Sequence, residues 1–392
     1  DECSANIALL LDTKGPEIRI GDFTKGSVIL KKGQEFILST SPVDGDESRV
    51  FINYEKITEI VNPKDIILID DGLIELEVKS IEEDHILCTV VTGGRISDRK
   101  GVNIPDKELP FPPLIKKDVQ DLLFGIKMGV DFVAASFVRK ATDVLEIRRV
   151  LEENGGDDIH IIAKIENREG VENIDEIIQV ADGVMIARGD LGVEIPVEEV
   201  PLIQKDIIKK CNNTGKPVIT ATQMLDSMIR NPIPTRAEAT DIANAIFDGS
   251  DAIMLSGETA AGKFPLQAVS MMKSIAYKAE QSLYIDDGKF SAAIRTITDS
   301  ISHATCNIAE NLKAKAIITS TKSGHTARAV AKFRPKMPII AVTPKSKVTK
   351  TLQMVRGVIS LKVKDTSSTD EMFRQAIRGA LKSGIVKNGD LV

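Results

Sequence analysis

The residues best placed to do chemistry lie between His160 and Pro196. Two apolar runs there end abruptly in charge. His160 to Ala163 run into Lys164 and Glu166, and Gly183 to Ala187 run into Arg188 and Asp190. Lys164 and Glu166 are two apart, so on an extended strand they share one face. Between the runs, Val171, Ile174, Ile177, Ile178 and Ala181 recur at helical spacing. Strand, helix, strand predicts a right-handed parallel βαβ unit with its chemistry at the carboxyl ends of the strands. A lysine and two carboxylates then converge on one spot. This set suits a divalent metal held by carboxylates and an anionic substrate neutralised by lysine. Charges at strand ends are often only solvated rims or ion pairs. Repetition of the pattern further along the chain argues for a site.

The elements that must position these residues follow one cadence from Leu114 onward. Strand-like runs occur at FVAASF, HIIAKIE, GVMIARGD, PVITATQ and DAIMLSGE, ending in Ser136, Glu166, Asp190, Thr222 and Ser256. The gaps between those ends are 30, 24, 32 and 34 residues, with amphipathic helices predicted at 142–154, 171–181, 198–214, 236–248 and 265–283. This predicts a (β/α)8 TIM barrel. The rival is a doubly wound open sheet, which the cadence favours less.

Ahead of this, NIALLLDTK reads as a buried strand ending in Asp12, Thr13 and Lys14, broken by Gly15 and Pro16. Short β-rich pieces follow at a spacing near ten residues: EIRIGDF, SVILKKGQEFILST, RVFINY, DIILIDDG, IELEVKSI, HILCTVV and GVNIP. They predict a small all-β barrel inserted into the larger one, returning through Leu109–Pro113 with its three prolines, and suited to act as a lid. Beyond residue 285, helices at 296–312, over HTARAVAKFR, over TKTLQMVRG and at 368–383 alternate with the strands AIITST, PIIAVTP and VISLKV. This predicts a three-layer α/β domain, whose final NGDLV reads as the opening of another strand. The expected division is 1–14 with 112–284 for the barrel, 15–111 for the insert, and 285–392 for the last domain.

Composition narrows the function classes. The 392 residues are 42% hydrophobic and 28% charged, with a formal net charge of −6. That balance argues against a generic nucleic-acid surface, and the absence of Trp argues against base stacking. No apolar run approaches the ~20 residues of a membrane span. Cys3, Cys88, Cys211 and Cys306 are scattered without metal spacing, as reduced thiols of a cytoplasmic protein would be. His303 and Cys306 read as helix-face residues, and Arg188 as a structural partner of neighbouring acids.

The motifs DTKGPEIR (12–19), KGVNIP (100–105), ASFVR (135–139), KIENREG (164–170), ARGDLGVEIP (187–196), TATQMLDSM (220–228), PTRAEATDIANA (234–245) and MLSGETAAGKFP (254–265) together resemble the pyruvate kinase family over essentially the whole chain. The resemblance implies phosphoryl transfer from phosphoenolpyruvate to ADP, giving pyruvate and ATP in glycolysis through a metal-stabilised enolate. It implies a (β/α)8 barrel with an inserted β-domain and a C-terminal α/β domain. Carried over by motif, Glu166 and Asp190 ligate Mg2+ (or Mn2+), and Lys164 stabilises the phosphoryl group in flight. Gly189 and Asp190 offer backbone N–H groups to the substrate carboxylate, while Thr222 binds substrate and serves enolate protonation. Arg19 and Lys100 meet the nucleotide phosphates. Asp12 and Thr13 form half of a K+ site, and Glu17 matches K+-dependent members. Thr321, Ser323, Gly324 and Thr326 match the loop holding the phosphate of an allosteric activator, where the plain alternative is a capped helix. The resemblance also implies a homotetramer. An Arg-x-Asn-Phe-Ser-His-Gly segment that family members carry before DTKGPE is not in this sequence, nor are the strands that follow NGDLV. A metal-enolate aldolase is a second reading, against which the insert, Arg19 and Lys100 count. A non-catalytic effector-binding protein is a third, against which Lys164, Glu166, Asp190 and Thr222 count.

Overall fold

The computed structural model describes residues 6–105, 107, 109–283, 294, 296–366 and 368–392. Cys3 and the expected junction at 284–285 lie outside the described residues. Six parallel strands form one sheet in chain order: Leu10–Asp12, Phe132–Ala135, His160–Ile165, Gly183–Ala187, Val218–Ala221 and Ala252–Ile253. The order never reverses, so the sheet has no topological switch point of the kind that defines a doubly wound fold.

The two faces of this sheet differ in what covers them. Val133, Ala135, Ile161, Ala163, Ile165, Val184, Ile186 and Val218 pack on residues of the crossover helices Lys116–Met128, Ala141–Glu153, Ile174–Val180 and Val200–Thr214. The other face gathers Phe132, Ala134, Ile162, Met185, Ile219 and Ala221 into a cluster without a residue from those helices. Crossover helices on one face and mainly strand side chains on the other, with Met354 of the C-terminal unit added, is the layering of a barrel wall.

Two predicted features of this sheet differ from expectation. The strand Leu10–Asp12 is not buried; Leu9 and Leu10 are 51% and 36% exposed. Among the described residues it pairs with Phe132–Ala135 alone. The helix expected over 171–181 is two helices, Arg168–Glu172 and Ile174–Val180, joined at Asn173, whose side-chain amide donates to the Arg139 carbonyl at 2.9 Å. The backbone ladder still runs through the joint, Asn173 N–H to the Glu169 carbonyl at 3.0 Å and Ile177 N–H to the Asn173 carbonyl at 3.1 Å, so the break is a local distortion at Asn173 (φ −93°, ψ 13°).

The β-rich segment folds as expected. Seven strands follow the order Ile18–Arg19, Gly101–Asn103, Ile66–Ile69, Ile74–Ile81, His85–Thr92, Glu35–Ser39, Arg49–Phe51. The two ends meet, since Gly21 N–H donates to the Phe51 carbonyl at 2.8 Å and Asn53 N–H to the Arg19 carbonyl at 3.0 Å. The sheet therefore closes around its own core, with Phe36, Leu38, Ile67, Ile69, Leu76 and Ile86 fully buried. Closure removes the exposed strand edges that would otherwise invite association.

The C-terminal unit is a parallel sheet of Ile317–Ser320, Ile339–Thr343 and Val358–Lys362. Ile339 and Ala341 face Cys306, Ala327 and Val330, while Ile340 and Val342 face Ala376 and Ala380. Helices thus cover both faces, which gives three layers. The described residues 388–392, read as the opening of a strand, are not in a strand here. Residues 387–390 form a turn, and of the last residues the Leu391 carbonyl accepts from Lys315 N–H.

Candidate active site

The strand ends bring the predicted residues together. Lys164 Nζ lies 3.1 Å from Glu166 Oε1, 2.8 Å from Ser136 Oγ and 3.1 Å from Asp12 Oδ1. Parallel register explains this, because Asp12, Ala134 and Ile162 are successive partners across the sheet, so residues just beyond them share one rim. Burial works against the charge on Lys164, but Glu166 and Asp12 outweigh it and hold its pKa above the ordinary value. The ammonium is therefore cationic at neutral pH.

Glu166 is 2% exposed, and its Oε2 accepts the Phe137 N–H at 2.6 Å. Burial, with the Asp190 charge adding to it and Lys164 opposing, pushes its carboxyl up to about 7. Asp190 is raised as well, first by burial. Two hard carboxylates crowded at a rim where ionisation is resisted form a donor set that a divalent cation relieves. The residues present fit such an ion as a pair; no group of three or more His, Cys, Asp or Glu able to hold a metal occurs among the described residues.

Thr222 sits at φ +65° and Gln223 at +55°, a backbone conformation costly outside glycine. Arg188 secures the turn. Its guanidinium donates to the Thr222 carbonyl at 2.8 Å and pairs with Asp241 at 2.7 Å, in keeping with the structural role expected of it. Thr222 Oγ1 accepts the Gly189 N–H at 2.7 Å. Gly189 and Asp190 do open a helix, Arg188–Glu194. The Gly189 amide expected to meet a substrate carboxylate is thus engaged by Thr222.

Arg19 and Lys100 lie across a cleft of about 520 Å³ between the barrel rim and the β-rich unit, which Asp190, Phe137, Asn103 and Glu194 also line. Asn103 donates to Glu194 at 2.8 Å across that cleft. Both cations are paired within the β-rich unit, Arg19 with Glu17 at 2.7 Å and Lys100 with Asp70 at 2.8 Å. Beside Lys164, Ser136 N–H donates to Thr13 Oγ1 at 3.1 Å, and Ser136 Oγ to the Thr13 carbonyl at 2.7 Å. Asp12 and Thr13 are therefore adjacent oxygen donors, but the Asp12 carboxylate is shared with Lys164.

The remaining candidates lie apart from this rim. In the C-terminal unit, Thr321 Oγ1 accepts the Gly324 N–H at 2.9 Å, and the Ser323 carbonyl accepts from Arg328 at 3.1 Å. Thr326 is exposed in the first turn of His325–Ala331. Cys306 is buried and His303 stacks near Phe333, with ring centroids 5.2 Å apart, so both serve packing. Ser136 is the residue that sequence reasoning undervalued. Its position at a strand end was a signal, but its contact with Lys164 depends on lateral register that local pattern does not carry.

Family comparison agrees over the whole length. The chain matches the family models described as pyruvate kinase, barrel domain, over residues 1–269, and pyruvate kinase, alpha/beta domain, over residues 299–392. It is 53% identical over 392 residues to the pyruvate kinase of Clostridium acetobutylicum, covering 98% of this chain and 82% of that protein. Against the pyruvate kinase of Geobacillus stearothermophilus it is 53% identical over 391 residues, covering 98% and 67%. With that of Bacillus licheniformis the identity is 52% over 392 residues, covering 99% and 67%.

Proposed function

The chain belongs to the pyruvate kinase family, a family of phosphotransferases that carry the phosphoryl group of phosphoenolpyruvate to ADP in glycolysis, and from that premise we propose how its residues divide the work. The observation that carries the reading is the bracket around Lys164. Its charge is held by Glu166 and Asp12, and Phe137, whose N–H donates to Glu166, lines with Asp190 the cleft that also bears Arg19 and Lys100.

Phosphoryl transfer asks a protein for alignment and charge neutralisation rather than covalent help. Lys164 faces the phosphoryl group from the barrel rim and neutralises its equatorial oxygens. Glu166 and Asp190 hold Mg2+ or Mn2+, which when bound supplies further neutralisation to the substrate's oxygens. Phe137 N–H keeps Glu166 oriented. Thr222 binds substrate, and its hydroxyl, held at a strained turn, stands where a proton is delivered to the enolate. For Gly189 and Asp190 to present amides to the substrate carboxylate, Thr222 Oγ1 releases the Gly189 N–H. That exchange couples substrate entry to freeing the threonine hydroxyl.

The β-rich unit acts as a lid over the cleft. It brings Arg19 and Lys100 onto the ADP phosphates, exchanging their ion pairs with Glu17 and Asp70 for the nucleotide. Asp12 and Thr13 contribute to a K+ site, with Glu17 the mark of K+ dependence. The six-stranded wall belongs to a closed (β/α)8 barrel, and the division at 1–14 with 112–284, 15–111 and 285–392 follows the three cores. The loop of Thr321, Ser323, Gly324 and Thr326 receives the phosphate of an allosteric activator. Exposed Leu266, Tyr277, Ile297 and Ile301 support assembly into a homotetramer. Among the described residues no helix is long and apolar enough to cross a membrane, which agrees with a cytoplasmic enzyme.

The test is pyruvate formation from phosphoenolpyruvate and ADP with Mg2+, with and without K+. K+-dependent turnover supports both the reaction and the Glu17 assignment. Turnover indifferent to K+ removes Asp12, Thr13 and Glu17 from an ion site. Binding of ADP separates the kinase from an aldolase on a related barrel, which needs no nucleotide.

A further inference from the structure

Two barrel residues unused above hold both crossings of the chain into the β-rich unit. Asp118 lies in the first turn of Lys116–Met128 and is 1% exposed. Its Oδ1 accepts the Gly15 N–H at 3.1 Å, on the outgoing crossing, and its Oδ2 accepts the Ile115 N–H at 3.2 Å, where the chain returns. One buried carboxylate therefore pins both. Arg139 supplies a second grip on the returning segment, where Nη1 donates to the Leu109 carbonyl and Nη2 to the Phe111 carbonyl, each at 2.8 Å.

The surroundings make these grips firm. Arg139 N–H donates to Asp143 Oδ2 at 2.9 Å, and the Arg139 carbonyl accepts from Asn173. The Phe111 ring packs on Tyr54 of the β-rich unit, with centroids 4.9 Å apart. Gly15 has φ +69°, and a Cβ there would lie 2.8 Å from the Phe137 ring. Phe137 in turn donates to Glu166. The anchored crossings thus abut the loop that orients the carboxylate assigned to the metal.

We propose that Asp118 and Arg139 form the pivot on which the β-rich unit swings, and that Arg139 is a positioning residue setting the angle at which Arg19 and Lys100 meet the nucleotide. This rests on the reading of that unit as a lid. An arginine suits this place, because its planar fork gives each carbonyl a separate donor in a fixed relative geometry, which a rotating ammonium does not fix. Small rotations at a pivot become larger displacements at a distance, and misplacement by about 1 Å can cost a reaction about 10²-fold.

The test uses the full-length enzyme carrying Arg139→Lys, with Lys100→Met beside it. Arg139→Lys is expected to raise the KM for ADP about tenfold and lower kcat, while phosphoenolpyruvate binding without ADP stays within about twofold. If Lys100→Met leaves the KM for ADP unchanged, the lid reading itself fails. If Lys100→Met raises it while Arg139→Lys does not, the lid stands and the pivot is overturned. Equal losses in the binding of both substrates by Arg139→Lys also overturn it, since they mark a general structural role. Asp118→Asn is read by hydrogen exchange, with faster exchange expected at Gly15 or Ile115; unchanged protection removes Asp118 from the pivot.

Discussion

At the scale of the residue, the proposed roles of Lys164 and Glu166 separate charge from ligation within one strand end. Lys164→Met keeps the length of the side chain and removes its charge. It is expected to lower kcat by about 10²-fold or more, since a charged contact in a water-poor site is worth that much to a transition state. Metal binding should be little changed, because the two carboxylates remain. Turnover like that of the parent enzyme would refute the role of Lys164. Glu166→Gln does the reverse. It keeps an acceptor for the Phe137 N–H, 2.6 Å away, but surrenders the charge that a divalent ion needs. A Mg2+ titration followed by turnover should shift to higher concentration, and an unmoved titration would take Glu166 out of the site. The residue types and spacing of this pair were legible in the sequence. The occupancy of the Gly189 amide by Thr222 Oγ1 was not, because it depends on a threonine at φ +65° brought in from the next strand.

At the scale of the element, apolar period and terminal charge located the strands and crossover helices, because the inner strands from Phe132–Ala135 to Val218–Ala221 are buried on both faces and each crossover helix on one. What local pattern could not supply was the neighbour across an edge. The Leu10–Asp12 strand has an apolar sequence yet pairs, among the described residues, with Phe132–Ala135 alone, and the 171–181 helix is locally distorted at Asn173, whose side chain bonds outside it. His160 shows how a strand's position sets a property of the whole fold. It begins the strand His160–Ile165 with its ring 5.7 Å from Phe132, centroid to centroid. Burial lowers its pKa from 6.5, with the positive charges of Arg328, Arg148 and Lys347 adding to that and Asp182 opposing. The native state therefore resists protonation that the unfolded chain accepts. Stability is unaffected by this group above about pH 6.5, falls as pH drops through 6.5 toward the lowered native value, and loses nothing more below it. Melting temperatures from pH 8 to 5 should fall more steeply for the parent protein than for His160→Gln. Parallel slopes would show that the ring titrates as freely in the fold as outside it.

At the scale of the whole molecule, the active rim and the C-terminal unit lie at opposite ends of the barrel strands, and among the carboxylates that join the far end to its neighbour, Asp131 and Glu280 included, Asp251 makes the bidentate contact. Asp251 immediately precedes the strand Ala252–Ile253 and its side chain is 5% exposed. It accepts from Val218 N–H at 3.1 Å and Arg356 N–H at 3.2 Å. The Arg334 fork reaches it at 2.9 and 3.0 Å, and that same guanidinium donates to the Gly249 carbonyl. The contact is a buried bidentate pair bridging two units that each have a hydrophobic cluster of their own and share the packing of Met354 on the barrel strands. Removing one partner of such a pair leaves a desolvated charge and typically costs about 3–5 kcal/mol. Asp251→Asn leaves the amide acceptor but strands the guanidinium, so it should fall within or just below that range. Because each unit retains its own core, the loss is expected to appear in calorimetry as one transition separating into two, the earlier one belonging to the C-terminal unit. Turnover at saturating substrates should stay within about twofold, since no residue assigned to chemistry contacts Asp251, whereas a rim that depended on the latch would lose kcat in step with stability. A single transition at the parent temperature would mean that the interface is held by its other contacts, with Arg334 kept in place by its existing bonds to Asn212 and the Gly249 carbonyl.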